Sequence, residues 1–195
     1  MFYGNLNWYK LNFIMSKIIN LFGGPGIGKS SIASGLTYKL KKKHITCDNP
    51  YEFPKQLAWD ENHQAIKDQL YVLANQHRGI VKSFGKVDYI ILDSPILLSL
   101  VYRSAYTGLE YPATLYGESF DKMVLDIHNQ YDSLNIVLKR TEGGYNEKER
   151  YQSLDESKEL DKRIEDILIK NNISYHIVSV GDKTVEDILK LLNIS

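Results

Sequence analysis

The chain has 195 residues, 43% hydrophobic and 25% charged, and its 24 basic and 24 acidic side chains cancel to zero net charge. That length fits one domain with a sizeable core, and the charge balance argues against nucleic acid as an obligatory partner, which draws a basic excess or stripe. One cysteine, Cys47, excludes an internal disulfide, and the five histidines (His44, His63, His77, His128 and His176) are scattered without zinc-ligand spacing, so cytosolic chemistry is the expectation.

Residues 1–14 are rich in aromatics and precede a second methionine, Met15. They lack the basic start and small-residue cleavage site of a secretory signal and read as an extension to a domain of residues 15–195. No stretch reaches the ~18 consecutive apolar residues of a membrane span. Lys17–Phe22 is then the first predicted strand. Four glycines follow within six positions (Gly23, Gly24, Gly26, Gly28), and a helix over Lys29–Lys43 carries Ile32, Leu36 and Leu40 on one face. Its last turn is lysine-rich, as the helix dipole favours.

A short second strand is expected around Ile45–Asp48, followed by a loop, "NPYEFPKQLAWDE". The spacing Ile66, Leu70, Leu73, His77, Ile80 and Phe84 predicts one long amphipathic helix from Asn62 to about Phe84, with His77 packed on its apolar face. Val87–Pro95 reads as a buried strand that ends in Asp93 and is stopped by proline. Helices are expected near Ile96–Tyr106 and Glu118–Tyr131, then a strand over Leu134–Arg140 and a polar loop, "TEGGYNEKERYQ". A helix from about Leu154 to Asn171 starts with Ser153 and Glu156 at capping-box spacing, and a last strand and helix, "SYHIVSV" and "TVEDILKLL", close the chain. Short apolar runs alternating with helical periodicity define an α/β class, a three-layer doubly wound parallel sheet, whose strand order periodicity does not supply.

Gly23–Ser30 fits G-x-x-x-x-G-K-[ST] between a strand and a helix, the context that the pattern needs. Glycines leave no Cβ between backbone amides and an anion, so the amides of Gly24, Gly26, Ile27, Gly28, Lys29, Ser30 and Ser31 can line a phosphate at the positive end of the helix. Lys29 then reaches the β- and γ-phosphates, and the Ser30 hydroxyl ligates Mg²⁺. At the carboxyl edge of a parallel sheet, Asp93 lies beside that loop, where its carboxylate can orient Mg²⁺ or take a proton from an acceptor hydroxyl.

The base-reading N-K-x-D and the D-x-x-G switch of GTPases are missing, as is the Leu-Ser-Gly-Gly signature of transporters, and there is no room for the helical lid of a ring ATPase. A small phosphate-loop domain without these devices reads as a small-molecule kinase. Arg140 and Arg150, at the two sides of a polar lid of about residues 140–153, are the candidate cations that close over a triphosphate and exclude water. The acceptor is expected between the loop holding Glu52 and the helix holding Gln69, Gln76 and Arg78. The two glutamines, seven apart, share a face and carry amides suited to a base edge or a carboxamide.

With "GGPGIGKSS", "EFPKQLAWD", "IKDQLYVLANQHR", "ILDSPILLSLVY" and "LKR…Y…ER" in place, the chain from Met15 onward resembles a family of phosphate-loop kinases. That family includes the nicotinamide-riboside kinase domain of NadR and small bacteriophage nucleotide-kinase-like proteins. The resemblance implies an adenylate-kinase-like sheet of order 2-3-1-4-5, ATP as donor and Mg²⁺ as its counter-ion, with Lys29, Ser30 and Asp93 on nucleotide and metal. It puts Glu52 at the acidic position of the acceptor site and matches Gln69, Gln76 and Arg78 to the family's helix. Pro54 departs from the family's alanine before lysine, so the acceptor loop is expected to differ in shape. The activity expected is Mg²⁺-dependent transfer of the γ-phosphoryl of ATP to a nucleoside, nucleotide or nicotinamide-riboside-like molecule, in the cytoplasm (the host's, for a phage-encoded chain). A homodimer stays open on this reading. The rival readings are a kinase of a modified base or end of DNA, and a nucleotide-binding regulator without transfer.

Overall fold

The computed structural model describes residues 15–105, 116–141 and 154–194. The expected extension (1–14), most of the tyrosine-rich stretch from Tyr102 to Tyr116, Arg150 and the body of the expected lid lie outside these residues. Five strands, β1 (Lys17–Phe22), β2 (Cys47–Asp48), β3 (Tyr89–Leu92), β4 (Ser133–Lys139) and β5 (His176–Ser179), form one parallel sheet in the order β2-β3-β1-β4-β5. The fold class and the order 2-3-1-4-5 are as expected.

Alternation along the strands builds two cores. On β1, Ile18 and Phe22 face one cluster with Ile90 and Leu92 of β3 and Val137 of β4. Ile19 and Leu21 face the other, with Ile91, Ile136 and Leu138. Side chains of a strand alternate between faces, so a sheet buried on both sides reads as an unbroken apolar run, as "KIINLF" and "YIIL" do. Helix α1 (Lys29–Lys42) covers the second face through Ile32, Ala33, Leu36 and Leu40. The first face is covered by α4 (Gln69–Ser83), α5 (Leu98–Ala105), α6 (Glu118–Asn129) and α7 (Leu154–Lys170), while α8 (Thr184–Leu191) joins α1 on the second.

A polar pair sets the register at the centre. Asn20 and Asn135 stand opposite each other in the β1–β4 pairing, both buried, and Asn20 Nδ2 donates to Asn135 Oδ1 at 2.9 Å. Asn135 Nδ2 in turn donates to the Ser174 carbonyl at 3.1 Å. A slip of β4 by one residue would turn Asn135 to the opposite, apolar face and leave Asn20 without its partner.

The single helix expected over Asn62–Phe84 is two. Asn62 caps α3 (His63–Lys67) by accepting from the Ala65 amide, and Asp68 starts α4 afresh by accepting from the Tyr71 amide, 3.1 Å in each case. Both caps compete with the continuing backbone ladder, which is why Asp and Asn favour helix starts. A further helix, α2 (Phe53–Trp59), occupies the expected loop, with Pro54 in its first turn where the missing amide costs nothing. His77 is half-buried rather than sealed in the core, its Nε2 hydrogen-bonded to Tyr131 Oη at 2.9 Å.

Candidate functional site

The phosphate loop leaves β1 at the centre of the sheet and enters α1. Gly28, at the helix start, has φ 98°, a conformation that a side chain would strain. It turns the chain so that α1 opens on amides with no preceding turn to bond to. A Cβ on Gly24 would stand 2.5 Å from the Ser157 carbonyl oxygen and 3.0 Å from Asp161 Oδ1, so only glycine admits α7 this close. Ile27 is buried between the loop and the second core, whereas Ser30 and Ser31 are exposed at the helix start.

Lys29 folds back on its own loop, its Nζ donating to the Gly23 carbonyl at 2.7 Å and the Gly24 carbonyl at 3.0 Å. Burial pulls its pKa below the ordinary lysine value, and the carboxylates of Glu52, Asp93 and Asp161 oppose that pull. The three acids come from three different elements of the fold. Asp93 comes from the edge of β3: Asn20 pairs with Leu92, so the next residue stands at the carboxyl end of the strand beside the one that feeds the loop. It is buried.

Asp93 also lines a small cleft together with Tyr51, Glu52, Gln76 and Ser94. Glu52 occupies the N-cap position of α2. Gln76 donates through Nε2 to the Ser94 carbonyl at 3.0 Å and to Ser94 Oγ at 2.8 Å, which leaves its buried Oε1 with no hydrogen-bond partner. Of the residues singled out in the sequence, Glu52, Gln76 and Asp93 are brought together in this cleft. Gln69 and Arg78 do not join them. Gln69 is buried elsewhere, donating to the Ile66 carbonyl at 2.7 Å, and Arg78 is exposed. A larger groove of about 470 Å³, lined by Arg140, Lys158, Asp161, Lys162 and Glu165, mixes both signs of charge and reaches the Arg140–Asp161 pair beside the phosphate loop.

Arg140 differs most from its expected use. Rather than standing free above the loop, its Nε pairs with Asp161 Oδ2 at 2.7 Å and its Nη2 donates to the Pro25 carbonyl at 2.8 Å and to Ser157 Oγ. Asp161 and Ser157 are residues that the sequence reading missed. Their signal was present: positions 157, 161, 164 and 168 form one helical face, and a serine and an aspartate interrupt its apolar series.

The residues present fit a nucleoside triphosphate and a hard divalent cation: a glycine loop with positive φ at Gly26 and Gly28 that opens on a helix start, a lysine on that loop, a hydroxyl at Ser30 and a buried carboxylate at Asp93. Among the described residues, no group of three or more His, Cys, Asp or Glu forms a metal cluster, and no helix is long and apolar enough to cross a membrane.

A glycine-rich loop between the central strand and its helix, in a parallel sheet of order 2-3-1-4-5, defines a P-loop domain. The chain belongs to the AAA domain family, whose profile matches residues 18–186. Among solved structures, NadR protein in complex with NR is similar over 93% of this chain and 53% of its own, with a TM-score of 0.71 at 14% identity. The chain therefore spans about half the length of the NadR chains that it matches. Deoxyadenosine kinase from M. mycoides with bound dATP is similar over 90% of this chain and 99% of its own (TM-score 0.57, 21% identity). Thymidylate kinase from Ehrlichia chaffeensis is similar over 91% and 99% (TM-score 0.57, 14% identity). No curated protein matches the chain in sequence.

Proposed function

We propose that the chain is a Mg²⁺-dependent phosphotransferase that passes the γ-phosphoryl of ATP to a hydroxyl of a nucleoside-like small molecule. The observation that carries this reading is the small cleft in which Glu52, Gln76 and Asp93 meet, with Asp93 at the end of the strand next to the one that feeds the phosphate loop. The kinases among its structural neighbours support the reaction class; the acceptor rests on the cleft.

The charged residues among those described as lining that cleft are Glu52 and Asp93, both acidic. Two carboxylates repel a phosphate group and welcome a neutral hydroxyl, which favours a nucleoside over a nucleotide as acceptor. ATP supplies the phosphoryl group and Mg²⁺ offsets its charge. The chain's amides and Lys29 orient the triphosphate, Ser30 and Asp93 hold the cation directly or through water, and Gln76 offers Oε1 to a donor on the acceptor. Glu52 takes the proton of the acceptor hydroxyl as its oxygen bonds to the γ-phosphorus; the bond from that phosphorus to the bridging oxygen breaks, and ADP leaves with the electron pair.

Incubation with γ-labelled ATP and Mg²⁺ against nucleosides, nucleotides, nicotinamide riboside and oligonucleotides tests this, with Lys29→Ala as control. Label on a nucleoside or nicotinamide riboside supports it. Label on oligonucleotides alone points to a DNA-end or modified-base kinase, and tight ATP binding without transfer points to a regulator.

A further inference from the structure

Arg140 and Ser157 stand on either side of the polar segment between β4 and α7, yet both reach one atom of the phosphate loop. The Pro25 carbonyl accepts from Arg140 Nη2 at 2.8 Å and from Ser157 Oγ at 2.7 Å. Asp161 completes the arrangement with both oxygens: Oδ2 takes Arg140 Nε at 2.7 Å, and Oδ1 takes the Gly24 amide at 2.5 Å. With Lys29 on the carbonyls of Gly23 and Gly24, three successive loop carbonyls are turned to donors.

Two physical consequences follow. Carbonyl oxygens repel a polyphosphate, so holding three of them on cationic or hydroxyl donors leaves the amides nearer α1 to meet the anion. A loop with four glycines also has many conformations to lose when it binds, and a brace that removes them beforehand lowers that entropic cost. The Arg140–Asp161 pair suits such a brace. The two side chains are only 18% and 21% exposed, unlike the solvated ion pairs that contribute little.

We propose that Asp161 is a positioning residue for the phosphate loop, holding the Gly24 amide with one oxygen and aiming Arg140 at the Pro25 carbonyl with the other. The proposal rests on the nucleotide-binding reading above. It also gives Arg140 a use in the nucleotide-free chain that differs from closing over a triphosphate.

The test compares wild type with D161A, D161N, S157A, R140A and D161A/R140A. The readouts are binding of a fluorescent (methylanthraniloyl) ATP with Mg²⁺, the melting temperature, and hydrogen exchange of the peptide spanning Phe22–Gly28 without nucleotide. D161A is expected to weaken nucleotide binding about tenfold, the scale of one lost charge-assisted hydrogen bond. Exchange at Phe22–Gly28 rises while the melting temperature stays within a few degrees. D161N, which keeps an oxygen for the Gly24 amide but turns an amide nitrogen toward Arg140, falls between. D161A/R140A binds about as weakly as D161A alone, because the two act through one contact. If D161A does not fold, D161N and S157A carry the same comparison. Wild-type affinity and unchanged exchange in D161A overturn the proposal alone, whereas a wild type that binds no fluorescent ATP overturns it together with the nucleotide-binding reading.

Discussion

At the scale of single residues, Lys29 and Glu52 carry proposed chemistry that separates by experiment, and Gly24 carries packing. Lys29 is partly desolvated against loop carbonyls, and three acids oppose the effect of that burial on its charge. Lys29→Ala is expected to weaken triphosphate binding by about a hundredfold while leaving the fold intact, since a buried cation facing a polyphosphate contributes several charge-assisted bonds; calorimetric titration with ATP and Mg²⁺ reads this. Glu52→Gln should keep triphosphate affinity and lower kcat by roughly 10²–10³, the usual scale of a lost general base. Gly24→Ala tests packing rather than chemistry: its Cβ would meet the Ser157 backbone oxygen at 2.5 Å, so stability should fall by about 1–3 kcal/mol, visible as a lower Tm. At this scale the phosphate loop was legible because backbone freedom at fixed spacing is written in glycines. Asp161 was not, because a lone aspartate on a charged helix looks solvated until its neighbour across the fold is known.

At the scale of elements, every expected strand and most helices stand within a few residues of their expected bounds, since both cores impose a clear period on β1, β3, β4 and α1. The errors fall where local hydrogen bonds overrule the apolar period. Asn62 and Asp68 cut one predicted helix into α3 and α4, and Phe53–Trp59 coils where two prolines suggested a loop. Asp68→Ala removes the cap that starts the Gln76-bearing helix and should cost about 1 kcal/mol in denaturant unfolding. Replacing Asn135 with leucine strands Asn20 Nδ2 in the β1–β4 register and should cost more, about 1–3 kcal/mol. The trio of Gln69, Gln76 and Arg78 shows the limit of helical spacing. One face of α4 holds Gln69 in the interior and Gln76 at the cleft, a division made by what packs on each turn.

At the scale of the whole molecule, burial between the helices on the first face of the sheet keeps His77 and His128 below the ordinary value of 6.5. An imidazole whose folded pKa is depressed stays neutral in the native state while the unfolded chain takes up protons. Stability is therefore full above about pH 6.5 and is lost as pH falls through the folded values. Unfolding midpoints measured between pH 7.5 and 5 should decline on the acid side, and His128→Leu should decline less. Strand order was out of reach of periodicity, because every buried parallel strand reads alike; it entered through resemblance and stands in the β2-β3-β1-β4-β5 sheet. That order matters for function, as it sets Asp93 and the phosphate loop on adjacent strand ends and brings Glu52 to face them.

The acceptor assignment is the central claim, and one paired reaction tests it most directly. A nucleoside and its own 5′-monophosphate are each incubated with the protein, γ-labelled ATP and Mg²⁺, with products identified by mass and Glu52→Gln run alongside. An acidic cleft predicts that the nucleoside gains one phosphoryl group on a hydroxyl, that its monophosphate is poorly used, and that Glu52→Gln slows the transfer by roughly 10²–10³. Efficient phosphorylation of the monophosphate, with the nucleoside untouched, would contradict it.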